Sequence, residues 1–565
     1  MFLIIPQNVH AVVDPSAVAN NKFGIHIISA SINEASDAAT LVNTNGDWGY
    51  VTVLVESKDR NQDKWQEFFN DLRRRHLIPI VRLATAPKGD LPAGQAGFWK
   101  RPYEGEEQAW ADFLDNLNWP VKNRYVIIYN EPNHAQEWGN SVDARSYAKV
   151  LDKTITALKS KNRDFFVLNA GFDASTPSRL PGYEDEAKFL QTMNDEVPGI
   201  FDKLDGWVSH SYPNPGFVGS PYGQGRRTVG TWKWELQKLE EFGITKNLPV
   251  FITETGWKHA EGLKNDPYLP SAETVSSYYK IGFENAWNNN RIVAVTPFLL
   301  SYQEEPFDHF SFKKANNFEY YPQYQTLLDM PKTSGKPVQD NKALLIKGEI
   351  FSSVVAGEVY DVSLTFKNTG QSIWSGVKLV PIIGGVELGI TSSEMPKNKN
   401  IEPGKEYTFA LKIKAPLSGV YKTSLNLFIN GKQFDTSPLE FITQVKPPVI
   451  LQVKTTLKWK KDFAGAYLLS TSGPSGDVTK IVELDEKGVS GPMEARYLLP
   501  DYPFDFTLEK RSEESGQMIS MYKLETIRQT LSPGINIIDF GELEPIILGN
   551  IIHPRTLWKL LPFSN

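Results

Sequence analysis

Tyr125-Val126-Ile127-Ile128-Tyr129-Asn130-Glu131-Pro132-Asn133 and Pro249-Val250-Phe251-Ile252-Thr253-Glu254-Thr255-Gly256-Trp257 decide how this chain is read. Each is a short apolar run of β-type residues that ends on a glutamate. In a β/α barrel the C-terminal ends of the strands converge on one mouth, so carboxylates far apart in sequence become neighbours in space. Two facing carboxylates are what cleavage of a glycosidic bond requires.

Working outward, residues 22–335 alternate short β-type runs with amphipathic segments, the pattern of a parallel α/β fold. The spacing predicts strands at Phe23 to Ile28, Tyr50 to Val55, Ile78 to Leu83, Tyr125 to Tyr129, Phe165 to Asn169, Gly206 to Ser209, Val250 to Thr253 and Ile292 to Phe298. Crossover helices are predicted at Lys64 to Arg75, Ser141 to Lys159, Thr231 to Phe242 and Ala272 to Asn288. Eight β/α units in this length fit a TIM barrel, for which about 250 residues is usual. An open doubly wound sheet would show fewer units and a phosphate-binding glycine turn after its first strand.

Beyond the barrel the composition shifts. Pro331-Lys332-Thr333-Ser334-Gly335-Lys336-Pro337 reads as a linker, and residues 343–445 show alternating strands such as Tyr360 to Phe366 between Asn-, Gly- and Pro-rich turns, which predicts a β-sandwich. Lys446-Pro447-Pro448 opens a second stretch, 449–548, expected to be another sandwich, and 549–565 is an unassigned tail. The fold class expected is therefore a multidomain chain, a (β/α)8 TIM barrel followed by two β-sandwich domains.

Composition narrows the function. The 565 residues carry a formal charge of only -6 and no long basic run, which gives no footprint for nucleic acid. Fourteen Trp and 22 Tyr suit a ligand with flat apolar faces and hydroxyl edges. The absence of cysteine removes disulfides, thiolate nucleophiles and cysteine metal sites. His76, His134, His259 and His309 lack metal-ligand spacing, so no metal or other cofactor is expected. No apolar run reaches the roughly 20 residues of a spanning helix. Residues 1–21 read as a signal-peptide remnant and leader, with a small-residue cleavage site near Ala11, and place the protein as secreted or cell-surface, of bacterial type.

The first 330 residues resemble the clan A glycoside hydrolases, close in pattern to families 39 and 5. These are retaining enzymes on a TIM barrel, with Asn-Glu after the fourth strand and a nucleophilic Glu after the seventh. Asn130-Glu131 and Glu254 match in type, order and strand number; Arg82 in Val81-Arg82-Leu83 and His210-Ser211-Tyr212 on the sixth strand match further positions. The resemblance implies a hydrolase acting on O-glycosyl bonds of a β-linked oligo- or polysaccharide, with Glu254 as nucleophile and Glu131 as acid and base. Arg82 and Tyr212 would hold Glu254 ionised, Asn130 would bond the sugar 2-hydroxyl, and His210 would position that network. Phe298 stands where many members have a sugar-stacking Trp, and Trp257, Trp138, Trp99 and Trp48 are candidate sugar platforms.

Residues 343–445 resemble the immunoglobulin-like four-tryptophan module on Phe366-Lys367-Asn368-Thr369-Gly370, Trp374, Pro403-Gly404, Ala415-Pro416 and Gly419-Val420-Tyr421. The last sandwich resembles only the broad class of carboxypeptidase-regulatory-like accessory domains. Both would serve contact with a cell surface or polysaccharide. Two other functions fit the same residues: a transglycosylase using this site, and a non-catalytic carbohydrate-binding or adhesion protein on a retained barrel. Gly223-Gln224-Gly225-Arg226-Arg227 follows no strand and reads as a loop rather than a nucleotide turn, and Arg73-Arg74-Arg75 as a solvated helix end.

Overall fold

The computed structural model describes residues 12–88, 97–315, 318–414, 417–474, 476–514, 517–523 and 526–546. The cleavage site expected near Ala11, the tail 549–565 and Ala415-Pro416 lie outside them. Among the described residues no helix is long and apolar enough to cross a membrane. The chain divides into two units, one running through Asp340 and including Gly370–Ser372, the other comprising Asn341–Thr369 and the residues from Ile373 on.

In the first unit eight parallel strands close on themselves. They are β1 (Gly24–Ile27), β2 (Gly49–Glu56), β3 (Leu77–Ala84), β4 (Arg124–Ile127), β5 (Phe165–Leu168), β6 (Trp207–His210), β7 (Val250–Glu254) and β8 (Ile292–Val295). β1 to β5 pair in order, as do β6 to β8. The parallel bridges Leu168 to Gly206 and Phe23 to Val295 join the two sheets into a barrel. The predicted strands are all present, and their continuous apolar character reflects burial on both faces.

Period-two alternation sorts each strand. Outward residues such as Val51, Val53 and Val81 pack on the helices. Inward residues such as Tyr50, Ile78, Ile80, Tyr125, Ile127, Phe166, Leu168, Val208 and Phe251 fill the lower barrel. Two residues further along the inward series the character changes: Ile78 and Ile80 are followed by Arg82, and Val208 by His210. The polar end layer is thus the next storey of an otherwise apolar interior.

Helices α1 (Ile32–Asn43), α2 (Gln62–Arg74), α3 (Glu106–Asp115), α4 (Ala144–Lys161), α5 (Glu186–Glu196), α6 (Thr231–Glu241), α7 (Ala272–Ile281) and α8 (Pro322–Asp329) surround the strands. Five of them, α1, α2, α4, α5 and α7, start on a side-chain cap. Asn61 accepts from Lys64 N at 3.0 Å, Asp143 from Ser146 N at 3.0 Å and Ser271 from Thr274 N at 3.3 Å. The segment expected to be helical to Asn288 stops being α-helical at Ile281, where Gly282–Ala286 forms a π turn. Arg73 is buried rather than solvated: its guanidinium reaches the Asn118 carbonyl at 2.8 Å and the Trp119 carbonyl at 3.2 Å, fixing the end of α2 to the loop before β4.

The stretch read as a linker is part of the barrel unit. Val338 O accepts from Lys122 N at 2.8 Å, Gln339 donates to Pro120 O at 2.7 Å, and Asp340 pairs with Lys122 at 2.9 Å. Proline and glycine here shape a tight path along packed surface instead of a free tether; a Cβ at Gly335 would lie 2.0 Å from Ala19 O.

In the second unit, strands Ala343–Lys347, Val359–Asn368 and Glu406–Lys414 form one antiparallel sheet. A six-stranded sheet centred on Gly419–Ile429 forms another. Phe366, Leu364, Phe409 and Leu411 from the first share one apolar core with Leu379, Leu425 and Leu427 from the second, and Trp374 is buried in it. Residues from Val449 on form an eight-stranded sheet with a separate core containing Val453, Tyr467, Phe506 and Ile538.

Candidate active site

The ends of β4, β6 and β7 bring three titratable groups together. One carboxylate oxygen of Glu131, one of Glu254 and a ring nitrogen of His210 lie within 4.8 Å of one another, a cluster that any metal would have to share with Arg82. His210 Nδ1 is 2.8 Å from Glu131 Oε1 and 3.7 Å from Glu254 Oε2. Tyr212 donates its hydroxyl to Glu254 Oε2 at 3.2 Å, and Arg82 Nη1 grips Glu254 Oε1. The same Nη1 donates to Asn130 Oδ1 at 2.9 Å.

Local backbone departures aim these side chains. Between β6 and β7 the register shifts, so that Ser209 pairs with Ile252 but His210 with Glu254. The extra residue, Thr253, turns Glu254 onto the face that strict alternation would deny it, as bulges next to active sites do. At the end of β4, Tyr129 and Glu131 have φ of 68° and 29°. Such conformations cost about 1–3 kcal/mol each, and Glu131 is held there by hydrogen bonds from its N–H to Gly171 O at 3.0 Å and from His134 N–H to its own carbonyl at 2.8 Å. Gly171 also makes room for the imidazole: a Cβ there would lie 2.1 Å from His210 Cδ2.

The two glutamates have unequal surroundings. Glu254 is 7% exposed, whereas Glu131 is half-buried. Burial pushes the Glu254 carboxyl up, but the charges of His210 and Arg82 and the Tyr212 hydroxyl outweigh it and hold the group below the ordinary carboxylate range. Burial pushes His210 down, and the Glu254 and Glu131 carboxylates outweigh that, leaving the imidazole above its ordinary value. Burial and the nearby carboxylates push the Tyr212 phenol well up, so it remains a donor.

Sequence reasoning missed two members of this site. His26, inward on β1, has Nδ1 3.9 Å from Glu254 Oε1, and burial with the Arg82 charge lowers its pKa to about 3, so it is a neutral neighbour. Its signal was the alternation of Gly24 and His26 against Ile25 and Ile27. Glu137, in the turn Ala135–Glu137, has its carboxyl pushed up to about 7 by burial and the Glu131 charge, and its only sequence signal is its position six residues after Glu131. Phe298, half-buried, sits edge-on to His26 with ring centroids 5.2 Å apart.

Three expected sugar platforms are core residues instead. Trp257 is fully buried against Tyr278, Tyr279 and Trp287, with its Nε1–H donated to Gly219 O at 2.8 Å. Once the chain leaves β7 the ring turns into the helix layer. Trp138 is fully buried between Tyr129 and Tyr147. Trp48 precedes β2, at the opposite end of the barrel, stacked on His76 at 4.7 Å. Trp99 is half-buried and borders a pocket with Arg82 and Asn130. The 223–227 segment is a loop whose Arg226 pairs with Asp185 at 2.7 Å.

No protein-family model matches the chain, and no curated protein matches it. Among solved structures it is similar to a family 39 glycoside hydrolase from the gut symbiont Bacteroides cellulosilyticus WH2, at 13% identity and TM-score 0.39, covering 72% of this chain and 83% of that one. It is similar to a GH128 (subgroup II) endo-β-1,3-glucanase from Sorangium cellulosum, at 14% identity and TM-score 0.35, covering 55% and 98%. A family 51 α-L-arabinofuranosidase from Bifidobacterium longum is similar at 10% identity and TM-score 0.36, covering 86% and 96%.

Proposed function

We propose that the chain is a retaining glycoside hydrolase of clan A type, cleaving a β-linked oligo- or polysaccharide with Glu254 as nucleophile and Glu131 as acid and base. The observation that carries this reading is the approach of the two carboxylates to within 4.8 Å. Retaining enzymes hold their carboxyl groups about 5–5.5 Å apart, whereas inversion needs roughly 6.5–9.5 Å to admit a water.

The unequal surroundings assign the roles. Glu254, ionised and oriented by Arg82 and Tyr212, attacks the anomeric carbon. The glycosidic bond breaks as Glu131 gives its proton to the departing oxygen, and a glycosyl ester on Glu254 remains. Glu131, now a carboxylate, takes a proton from water; the water oxygen bonds the anomeric carbon and the ester bond breaks. His210, bonded to Glu131 at 2.8 Å, keeps that carboxyl aimed through both steps. Asn130 would meet the sugar 2-hydroxyl, and Phe298 would offer the ring face beside it. A polymeric substrate would put the reaction outside the cytoplasm, with the sheets of the second unit as immunoglobulin-like and accessory modules holding the enzyme near polymer or surface.

The test is the anomer first released from a β-linked oligosaccharide, followed by proton NMR. Retained configuration is expected, and an inverted first product would remove the double displacement.

A further inference from the structure

The barrel face opposite the two glutamates carries a cleft of its own. Lys22 leads into β1, Leu248 into β7 and Arg291 into β8, so these residues stand at the N-terminal ends of three neighbouring strands. Glu131 and Glu254 stand at the C-terminal ends, on the other face. With Asp14, Asn247, Asn288 and Asn290 they line a cleft of about 600 Å³. Pockets that hold small molecules measure roughly 300–1,000 Å³.

The lining is polar and its charges are not neutralised within the fold. Lys22 Nζ donates to Trp287 O and Asn289 O at 3.1 Å each, and Arg291 Nη2 donates to Leu248 O at 3.2 Å. Both cations are thus held by carbonyls, and among the described residues neither forms an ion pair. Arg291 Nε is buried without a hydrogen-bond partner. Burial holds the Lys22 ammonium below its ordinary pKa, as befits a cation kept in the cleft without a counter-charge. In the run Asn288-Asn289-Asn290 the middle side chain shapes the turn, accepting from Arg291 N at 2.9 Å. The flanking amides of Asn288 and Asn290, and that of Asn247, make no hydrogen bond among the described residues. Asp14 Oδ1 accepts from Ser16 N and Oγ at 2.9 and 2.7 Å, which leaves its other oxygen open.

We propose that this cleft is a non-catalytic binding site for an acidic saccharide, a unit carrying one carboxylate among several hydroxyls. Lys22 and Arg291 take the carboxylate, and the three asparagine amides and Asp14 meet hydroxyls as donors and acceptors. A bare anion would use the cations and be repelled by Asp14, and a neutral sugar would leave the cations unused. None of the residues lining the cleft is aromatic, so a nucleobase finds no ring to stack on. The site shares no residue with the cleavage centre and does not rest on the glycosidase reading.

The experiment is calorimetry on the full-length protein with three probes: a disaccharide containing one glucuronate, its neutral glucose counterpart, and inorganic phosphate. The acidic disaccharide is expected to bind with a Kd of about 1 mM or tighter, and the other two at least about tenfold more weakly. R291Q and K22Q should each weaken it about tenfold or more. N247W, at an exposed position, should fill the cleft and do the same, and it decides the matter where the other variants melt early. E254A should bind the acidic disaccharide as the wild type does, and N247W should turn over aryl β-glycosides within about twofold of wild type. Binding that N247W leaves intact or that E254A abolishes would place the ligand elsewhere and overturn the site. Equal affinity for phosphate or for the neutral disaccharide, or no binding at about 10 mM, would overturn it as well. Binding that N247W weakens, in a wild type that hydrolyses no glycoside, would keep this site and remove the glycosidase reading.

Discussion

The end of β7 and the end of β4 each deliver a glutamate to the same space, yet the two carboxyl groups live in different surroundings. Glu254 is enclosed and bound by Arg82 and Tyr212, while Glu131 is half-buried with His210 as its ring partner. The difference teaches that role follows surroundings: a carboxylate gripped by a permanent cation suits nucleophilic attack, and one open to the mouth suits proton traffic with a leaving group or water.

Removing Glu254 tests this contrast most severely. E254A should lose about 10⁵-fold in kcat on every substrate, since no covalent ester can form. Added azide should restore turnover with inverted configuration. E131A should lose about 10²–10⁴-fold on substrates with poor leaving groups, while dinitrophenyl glycosides, which depart unprotonated, keep their first step. Swapped phenotypes in burst kinetics would reverse the assignment.

Weakening the grip on Glu254 sharpens the comparison. R82Q removes the fixed cation, so the Glu254 carboxyl should rise and the acid limb of the kcat/KM profile should move to higher pH. The loss in kcat should be about 10²-fold. An unmoved acid limb would show that Arg82 does not set the ionisation of Glu254.

His26 adds a smaller effect on stability. Its folded pKa of about 3 lies below the unfolded value, so between about pH 6.5 and 3 the unfolded chain binds a proton that the folded chain refuses. Stability should fall as pH drops through that window, by up to about 1.4 kcal/mol per pH unit from this group. Glu254, with a lowered pKa, adds a loss in the same direction below its unfolded value. His210, with a raised pKa, acts oppositely: its stabilisation is full below its unfolded pKa and is lost as pH rises through its folded value. Urea melts of H26Q against wild type should show a flatter slope from pH 6 to 4, and parallel slopes would mean His26 is charged in the fold.

The barrel was legible because parallel strands buried on both faces leave continuous apolar runs, and because Asn130-Glu131 and Glu254 end two of them. The same rule, carried to β1, would have found His26. What could not be read was orientation after a strand ends. Trp257 lies three residues beyond Glu254, but the bulge at Thr253 resets which face each side chain takes, and the ring packs on α7. Trp138 has the same history after the positive-φ turn at Tyr129 and Glu131. The stretch 331–337 misled for a related reason: its composition reports backbone shape, and a tight packed path needs the same proline and glycine as a tether.

That correction alters where the chain can be cut. Ending it near Gly335 would remove Val338, Gln339 and Asp340, whose bonds to Lys122 and Pro120 belong to the barrel unit, so the informative end point is Asp340. A chain of residues 1–340 keeps all eight strands and every residue assigned to the chemistry, and its kcat on short soluble glycosides should stay within about twofold of wild type. It lacks Gly370–Ser372, which the barrel unit includes, and its melting temperature should fall by about 1–2 °C, roughly 1 kcal/mol for a unit of this size. Turnover of insoluble polymer should fall further than turnover of soluble sugars, if the sheets beyond Asn341 serve to hold the enzyme near its substrate. A folded barrel that binds oligosaccharide but hydrolyses no short glycoside would show that a residue beyond Asp340 completes the site, and the contrast between Glu131 and Glu254 would then be an incomplete account of the chemistry.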